Sequence, residues 1–169
     1  IDDMNYKHWD QYVQTIPHIF LASVENGKLN IKKDILEGEP YECPVLPFGG
    51  SEQLCWSPDG KSIAYTSRKK TGVDYAISTD SDIYLYDIKN ASLQKAAHNQ
   101  MAGLQEGWIV SENAALNFSK DGKRLFFGTA PKPLEKDTTL AEFEQPQLDI
   151  WTWNEDYLQT VQLFRKNRD

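Results

Sequence analysis

Short stretches of alternating apolar and polar residues, separated by polar turns, recur along the chain. Residues 54–66 contain two such stretches around Pro58-Asp59-Gly60-Lys61, and residues 116–128 repeat this pattern at a constant offset of 62 positions. Alternation is typical of half-buried β-strands, and Asp-Gly supplies a tight turn because glycine adopts a positive φ at little cost. The pattern therefore predicts two β-hairpins, with turns at 58–61 and 120–123, and very little helix.

A second unit of one strand and a polar turn follows each hairpin. Residues 82–87 align with 149–154, and the same unit occurs earlier in the chain at 18–23. A weaker strand is predicted after each copy, at 29–35, 93–97 and 158–163. Four short antiparallel strands per repeat form a propeller blade. The predicted fold is all-β, a partial β-propeller of four-stranded antiparallel blades with about two and a half blades.

Four segments follow from this repeat. Residues 1–16 are predicted to be a linker or a short helix, and 17–97 a half blade followed by the first full blade. Residues 98–113 are an irregular connector with no predicted strand, and 114–169 form the second full blade and a tail. Two long polar loops are also predicted, at 68–81 and 130–147, and long loops on a rigid scaffold are where binding usually occurs.

Composition and charge exclude several classes of protein. The chain is 40% apolar and 12% aromatic, which favours a folded core, and its net charge of −7 disfavours nucleic-acid binding. The basic clusters Arg68-Lys69-Lys70 and Arg165-Lys166 are predicted to be solvated loop or tail charges. No apolar run reaches the roughly 20 residues that a membrane helix needs. No signal peptide is evident, and because the sequence starts without an initiator methionine it is interpreted as a fragment or processed form.

Catalytic and metal-binding motifs are not evident in the sequence. The nearest approach to a Gly-x-Ser-x-Gly nucleophile elbow is Gly49-Gly50-Ser51-Glu52-Gln53, which lacks the last glycine. Cys43 and Cys55 lack the spacing of a zinc site and are predicted to be free thiols, although a disulfide is left open. We therefore predict no catalytic residue, no cofactor and no metal in this chain.

Aromatic and histidine side chains outside the repeat are the surface candidates. His8, Trp9 and Trp108 are predicted to face a substrate or partner. The remaining tryptophans fall on repeat strands and are predicted to pack between blades, namely Trp56, Trp151 and Trp153.

An ordered series of motifs resembles a known family. The series is Lys7-His8-Trp9-Asp10, Ile16-Pro17-His18-Ile19-Phe20, Glu37-Gly38-Glu39-Pro40-Tyr41-Glu42, Pro47-Phe48-Gly49-Gly50, Trp56-Ser57-Pro58-Asp59-Gly60-Lys61 and Ser78-Thr79-Asp80-Ser81-Asp82-Ile83-Tyr84. Together these motifs resemble the propeller of bacterial dipeptidyl peptidases and acylaminoacyl peptidases in the prolyl oligopeptidase family. Residues 105–163 are also similar to a propeller of this family.

This resemblance implies a role but no catalytic residue. In the family a Ser-Asp-His triad lies in a separate C-terminal α/β-hydrolase domain, and the propeller restricts access to it. The expected function is thus a non-catalytic propeller segment that gates and filters peptide substrates for a serine peptidase. The alternative is a stand-alone Tol-type propeller acting as a binding or scaffold module, and a downstream Gly-x-Ser-x-Gly in the parent reading frame would decide between the two.

The expected partners are the hydrolase domain, the remaining blades and the peptide substrates of the parent protein. Self-association of the isolated chain is also expected, because one strand face of the first full blade is predicted to be left open, the face formed by Ile63, Tyr65, Tyr84 and Tyr86. The same is predicted for Leu125, Phe127, Trp151 and Trp153 on the second blade. The compartment stays open between a periplasmic or exported parent and a cytoplasmic one.

Overall fold

A computed structural model of the chain describes residues 15–134 and the single positions 139, 154, 157 and 161. The chain divides into two compact units, Ile1–Pro133 and Leu134–Asp169. Every strand described below lies in the first unit. The strands predicted at 149–154 and 158–163, and the side chains of Trp151 and Trp153, lie outside the described residues.

Short β-strands dominate the described residues, as the sequence predicts. The strands are β1 (Phe20–Glu25), β2 (Lys28–Asp34), β3 (Leu54–Trp56), β4 (Ser62–Ser67), β5 (Asp80–Asp87), β6 (Ser92–Ala97), β7 (Trp108–Ser111), β8 (Asn117–Phe118), β9 (Leu125–Phe126) and β10 (Thr129–Pro131). Within residues 15–134, helix is limited to one turn of α1 (Val73–Ile77) and a 3-10 turn at Ser51–Gln53. All strand pairs are antiparallel. The prediction of an all-β fold consistent with a partial propeller is confirmed.

Strands β3, β4, β5 and β6 pair in chain order and form one complete four-stranded blade. The second half of β5 pairs with β6, whereas its first two residues, Asp80 and Ser81, pair with β7. Strand β10 then adds to β7. β7 lies within 98–113, where the sequence predicts no strand, and β10 begins where a polar loop is predicted.

Two separate hairpins accompany this sheet. Strands β1 and β2 form the predicted half blade, and their turn is Asn26-Gly27, with φ values of 53° and 73°. Positive φ at both central residues is the signature of a type I′ turn, whose twist matches that of the strands. The second hairpin is the short pair of β8 and β9.

The two Asp-Gly turns predicted from the repeat share the same hydrogen bonds. The Ser57 hydroxyl donates to Asp59 Oδ1 over 2.7 Å, and the Ser119 hydroxyl donates to Asp121 Oδ1 over 2.6 Å. Gly60 and Gly122 follow with φ values of 68° and 71°. The constant offset of 62 positions thus corresponds to a repeated three-dimensional turn, and the predicted hairpins are confirmed.

Replacement of either turn glycine is expected to destabilise the fold. Gly60→Ala and Gly122→Ala each place a Cβ on a residue of positive φ, which costs roughly 1 kcal/mol. The decrease in the unfolding free energy can be measured by urea denaturation. Gly60→Asn is the matched control, since asparagine tolerates this conformation better. Equal stability of Gly60→Ala and the wild type would show that the turn does not constrain the hairpin.

The two central strands of the complete blade, β4 and β5, are buried on both faces. On one face Tyr65, Tyr84 and Tyr86 pack in a cluster with Ile19 of the β1–β2 hairpin and Leu36 of the segment that follows it. The prediction that this face is left open is wrong: Ile63, Tyr65, Tyr84 and Tyr86 are 1%, 0%, 6% and 4% exposed. The half blade and the segment after it cover the tyrosines, so the first blade needs no second chain to bury this face.

The opposite face packs against the segments that follow the blade. Ala64, Ile83 and Ala97 form a second cluster with Val110 of β7 and Leu116. Leu125 and Phe127, predicted to be open, are half-buried against this cluster. Successive units of the chain therefore stack on the two sides of one central blade.

Candidate functional site

The loop between β4 and β5 is the best candidate for a functional site among the described residues. It occupies 68–79, within the long loop predicted at 68–81, and contains the single helical turn α1. Antiparallel geometry places the end of β4 and the start of β5 at the same end of the blade. The charged residues on both sides of the loop therefore meet at its base. We call this group the charged cluster; its members are Glu39, Arg68, Lys69, Lys70, Asp80, Asp82, Lys95 and Glu112.

Arg68 holds the two ends of the loop together. Its Nη1 donates to the backbone oxygen of Ser78 and lies 3.2 Å from Glu112 Oε2, while the Arg68 side chain is only 6% exposed. The Ser81 hydroxyl donates to the same Glu112 oxygen over 3.4 Å. A buried guanidinium needs such pairing, because an uncompensated charge in the interior is costly. The Arg68–Glu112 pair also joins the blade to the segment that follows β7.

Two carboxylates at the start of β5 are paired with lysines. Asp80 Oδ2 accepts from Lys70 Nζ over 2.7 Å and from Asn99 Nδ2 over 2.8 Å. Asp82 Oδ2 accepts from Lys95 Nζ over 2.5 Å. Both carboxylates are therefore paired within the chain: the Lys70–Asp80 pair fixes the loop to β5, and the Asp82–Lys95 pair joins β5 to β6.

Lys69 joins the loop to the segment that covers the tyrosine face. Its ammonium forms an ion pair with Glu39 and lies 4.2 Å from the ring centroid of Tyr84, whose ring stacks on Tyr65 at 5.5 Å. A cation above an aromatic face is attracted by the ring quadrupole. Burial, and then the Asp82 carboxylate, raises the pKa of Tyr84 above its ordinary value. The phenol therefore stays neutral near pH 7 and donates a hydrogen bond to Asp82 Oδ2 at 3.3 Å.

Tyr75 anchors the helical turn from the other side. Its ring lies 6.1 Å from that of Tyr41, centroid to centroid. Burial, and then the carboxylate of Glu42, raises the pKa of Tyr75 to about 12. The loop is thus held by ion pairs at its base and by the ring contact between Tyr41 and Tyr75.

The basic run Arg68-Lys69-Lys70 was predicted to be solvated, and this prediction is wrong. The three side chains are 6%, 15% and 29% exposed and all three have carboxylate partners. The partners Glu39 and Glu112 are distant in sequence, so no local pattern indicated these ion pairs. The second basic cluster, Arg165-Lys166, lies outside the described residues.

The predicted surface candidates do not come together in the described part of the chain. Trp108 is half-buried in β7, opposite Pro131 of β10, away from the strand end that bears the loop. His8 and Trp9 lie outside the described residues. Trp56, predicted to pack between blades, is instead 53% exposed at the end of β3, so that prediction is wrong.

A histidine–carboxylate pair does occur, at the base of the β1–β2 hairpin. His18 Nδ1 lies 2.7 Å from Asp34 Oδ2, and Asp34 Oδ1 accepts from the backbone N–H of Leu36 over 2.9 Å. A catalytic triad would require a hydroxyl on the other ring nitrogen. His18 Nε2 is buried without a hydrogen-bond partner among the described residues, so the pair closes the hairpin and activates no nucleophile there.

The repeated turns line a cavity of about 450 Å³. Asp59, Asp121, Leu85 and Phe118 are among the residues that line it. A hydrogen bond from the adjacent serine hydroxyl, followed by one from a backbone N–H, lowers the pKa of each aspartate. Both carboxylates are therefore committed to their own turns, and the cavity reflects two repeated hairpins lying side by side.

The two cysteines are the remaining chemical candidates. Cys43 is buried and Cys55 half-buried, and both are free thiols, as predicted. Burial, and then the Glu42 carboxylate, raises the pKa of the Cys43 thiol to about 12, so it is unreactive near neutral pH. Over the residues that the structure describes, no three histidine, cysteine or acidic side chains are grouped as a metal ion would require. No helix within that part of the chain is long and apolar enough to span a bilayer.

The described residues form a partial β-propeller with a loop anchored by ion pairs at one end of the blade. The chain is 44% identical over 136 residues to dipeptidyl-peptidase 5 of Porphyromonas gingivalis, a match that covers 75% of this chain and 20% of that protein. Dipeptidyl-peptidase 5 of Porphyromonas endodontalis is also 44% identical, over 125 residues, covering 74% of this chain and 17% of the relative. A fungal protein of the same name, from Trichophyton schoenleinii, is 30% identical over 147 residues, covering 80% of this chain and 20% of the relative.

These relatives are much longer than the chain, which spans about a fifth of the length of the curated relatives it matches. No family model matches the sequence. No solved structure matches it either. The similarity therefore relates the chain to a part of proteins named as dipeptidyl peptidases.

Proposed function

We propose that this chain is a non-catalytic propeller segment of a longer serine peptidase of the prolyl oligopeptidase family, in which it gates and filters peptide substrates for a separate α/β-hydrolase domain. One observation carries the proposal: the match to a dipeptidyl peptidase covers 75% of this chain but only 20% of that longer protein. The four-stranded blade and the motifs of the propeller support it.

The 68–79 loop provides a physical basis for filtering. A gate that selects peptides by size must keep a fixed aperture, and a loop held by paired charges loses little further entropy when a substrate passes. Arg68 links the two ends of this loop, and the ion pair of Lys69 with Glu39 links the loop to the segment that follows β2. Its exposed residues include Ile77, which is 70% exposed and so available to contact a passing peptide.

We expect the isolated chain to hydrolyse no dipeptidyl or aminoacyl chromogenic substrate, while the longer chain that carries these residues hydrolyses dipeptidyl substrates. Release of the chromophore by homogeneous preparations of each measures this. Turnover by the isolated chain that is lost on Ser51→Ala would contradict a non-catalytic role. A longer chain without peptidase activity would instead favour the Tol-type binding module.

The gating role can be tested in the longer chain with two tryptophan variants. Ile77→Trp enlarges an exposed side chain of the 68–79 loop, whereas Asn90→Trp enlarges the exposed β5–β6 turn at the opposite end of the blade. We expect Ile77→Trp to raise KM several-fold for longer peptides with kcat unchanged, because entry is obstructed and the chemistry is not. Asn90→Trp should leave both constants unchanged, and equal effects of the two variants would rule out a gate at the loop.

A further inference from the structure

The outer face of the β1–β2 hairpin carries large apolar side chains in contact with solvent. Phe20, Val24, Leu29 and Ile31 are 55%, 71%, 67% and 65% exposed, and we call this group the open hairpin face. Val24 pairs with Leu29 across the strands, and alternation along β1 places Phe20 on the same side. Adjacent exposed apolar residues of this size mark an interaction surface more often than isolated ones do.

The internal repeat shows what covers the equivalent face of the next unit. Aligning 18–23 with 82–87 places Phe20 opposite Tyr84 of β5, and Tyr84 is 6% exposed. Tyr84 is covered because Ile19 and Leu21, on the inner side of the hairpin, pack into the same cluster. Each unit therefore presents an aliphatic pair to the unit after it and receives such a pair from the unit before it.

The same direction of stacking recurs one unit later. Ile83 and Leu85, which align with Ile19 and Leu21, pack into the cluster that includes Val110 and Leu116. In two successive units the same two aliphatic positions pack against the unit that follows, and we call this the stacking rule. By the stacking rule the open hairpin face should receive an aliphatic pair from a preceding unit, and the described residues do not supply that pair.

We propose that the open hairpin face binds a further blade of the same longer chain, which presents two aliphatic side chains in the positions that Ile19 and Leu21 occupy on the next blade. The inference rests on the proposed function for the existence of further blades. The length supports it, because the chain spans 20% of a relative that it matches at 44% identity, and most of such a protein lies outside these residues. A closed propeller needs about four to eight blades.

A second copy of this chain is the competing occupant, and the stacking rule disfavours it. The open hairpin face is complementary to the inner hairpin side that bears Ile19 and Leu21. In the described residues that side is already packed against Tyr65 and Tyr84. A second copy therefore has no free complementary face in that part of the chain.

Thiol labelling distinguishes the two occupants. Val24→Cys, in a Cys55→Ser background, is treated with a maleimide in the isolated chain and in the longer chain. Asn90→Cys is the matched control, because residue 90 is exposed in a turn and does not belong to the open hairpin face. We expect both thiols to react equally fast in the isolated chain. In the longer chain Val24→Cys should react at least about tenfold more slowly, while Asn90→Cys is unchanged.

Each other outcome has a defined meaning. Equal reactivity of Val24→Cys in the two chains, repeated with Ile31→Cys, would overturn the inference even where peptidase activity is retained. Protection in the isolated chain that increases with protein concentration would identify a second copy as the occupant and would also overturn it. Protection in a longer chain without peptidase activity would support the docking surface while contradicting the proposed function, so the two can fail separately.

Discussion

Gln53→Leu is expected to lower the free energy of unfolding by about 2–4 kcal/mol, because it removes one side chain that satisfies two buried backbone groups. Gln53 is 2% exposed. Its Oε1 accepts from the backbone N–H of Val45 over 2.7 Å, and its Nε2 donates to the backbone oxygen of Glu112 over 2.6 Å. Leucine fills a similar volume and makes neither bond. The midpoint of urea denaturation, at constant m-value, measures the loss.

Two variants separate this effect from the general cost of substitution. Gln53→Glu keeps an acceptor for Val45 but loses the donor to Glu112, so its cost should be as large as that of leucine or larger if the buried carboxylate remains charged. Ser51→Ala is the matched control at an exposed position of the same 3-10 turn, and its effect should stay within about 0.5 kcal/mol. Similar losses for Gln53→Leu and Ser51→Ala would show that the bridge has no special role.

Gln53 matters because the 3-10 turn at Ser51–Gln53 joins segments that are far apart in sequence. The backbone oxygen of Glu52 accepts from Leu116 N–H over 2.9 Å, next to the β8–β9 hairpin. Gly49 allows the close approach, since a Cβ at this position would stand 2.4 Å from the backbone oxygen of Val45. The stretch that resembles an incomplete nucleophile elbow is thus a structural junction, and its glycine serves backbone packing.

Local features of the fold could be predicted from the sequence. The Asp-Gly turns depend on residues within five positions of one another, such as Ser57 and Asp59, so the pattern contains all the information that the turn needs. The same is true of β1 and β2, where Asn26-Gly27 specifies the hairpin. Alternation then predicts which residues share a face, as the cluster of Tyr65, Tyr84 and Tyr86 shows.

The candidate site could not be predicted in the same way, because its contacts are long-range. Arg68 pairs with Glu112, 44 positions away, and nothing near Arg68 in sequence distinguishes it from a solvated charge. Strand β7 was missed for a related reason: Trp108–Ser111 is only four residues long and is specified by pairing with β5 and β10. Tertiary pairing, which a single sequence does not display, decides both features.

Cys43 and Tyr65 together are expected to remove about 4 kcal/mol of the chain's stability between pH 8 and pH 11, because both groups are fully buried and keep their protons in the folded state, and the raised pKa values of Tyr75 and Tyr84 add to the loss above pH 10. Burial raises the pKa of the Cys43 thiol from 9.0 to about 12 and raises that of the Tyr65 phenol above its ordinary 10.0. The unfolded chain releases these protons at the ordinary values, so rising pH stabilises the unfolded state. Each group contributes about 1.4 kcal/mol per pH unit, from about pH 9 for Cys43 and from about pH 10 for Tyr65.

Tyr65→Phe isolates the contribution of the phenol. The Tyr65 hydroxyl is buried without a hydrogen-bond partner among the described residues, so its removal deprives no neighbour of a bond. We therefore expect the variant to be at least as stable as the wild type at pH 7. Above pH 10 its unfolding free energy should fall less steeply than that of the wild type, by about 1.4 kcal/mol per pH unit, because one titrating group is gone.

Urea denaturation at pH 7, 9, 10 and 11 compares the slopes of the two proteins. Cys43→Ala should in turn remove the part of the stability loss that begins near pH 9. Parallel curves for the wild type and Tyr65→Phe would mean that the phenol ionises as readily in the folded chain as in the unfolded one, which is incompatible with its burial between the hairpin and the blade.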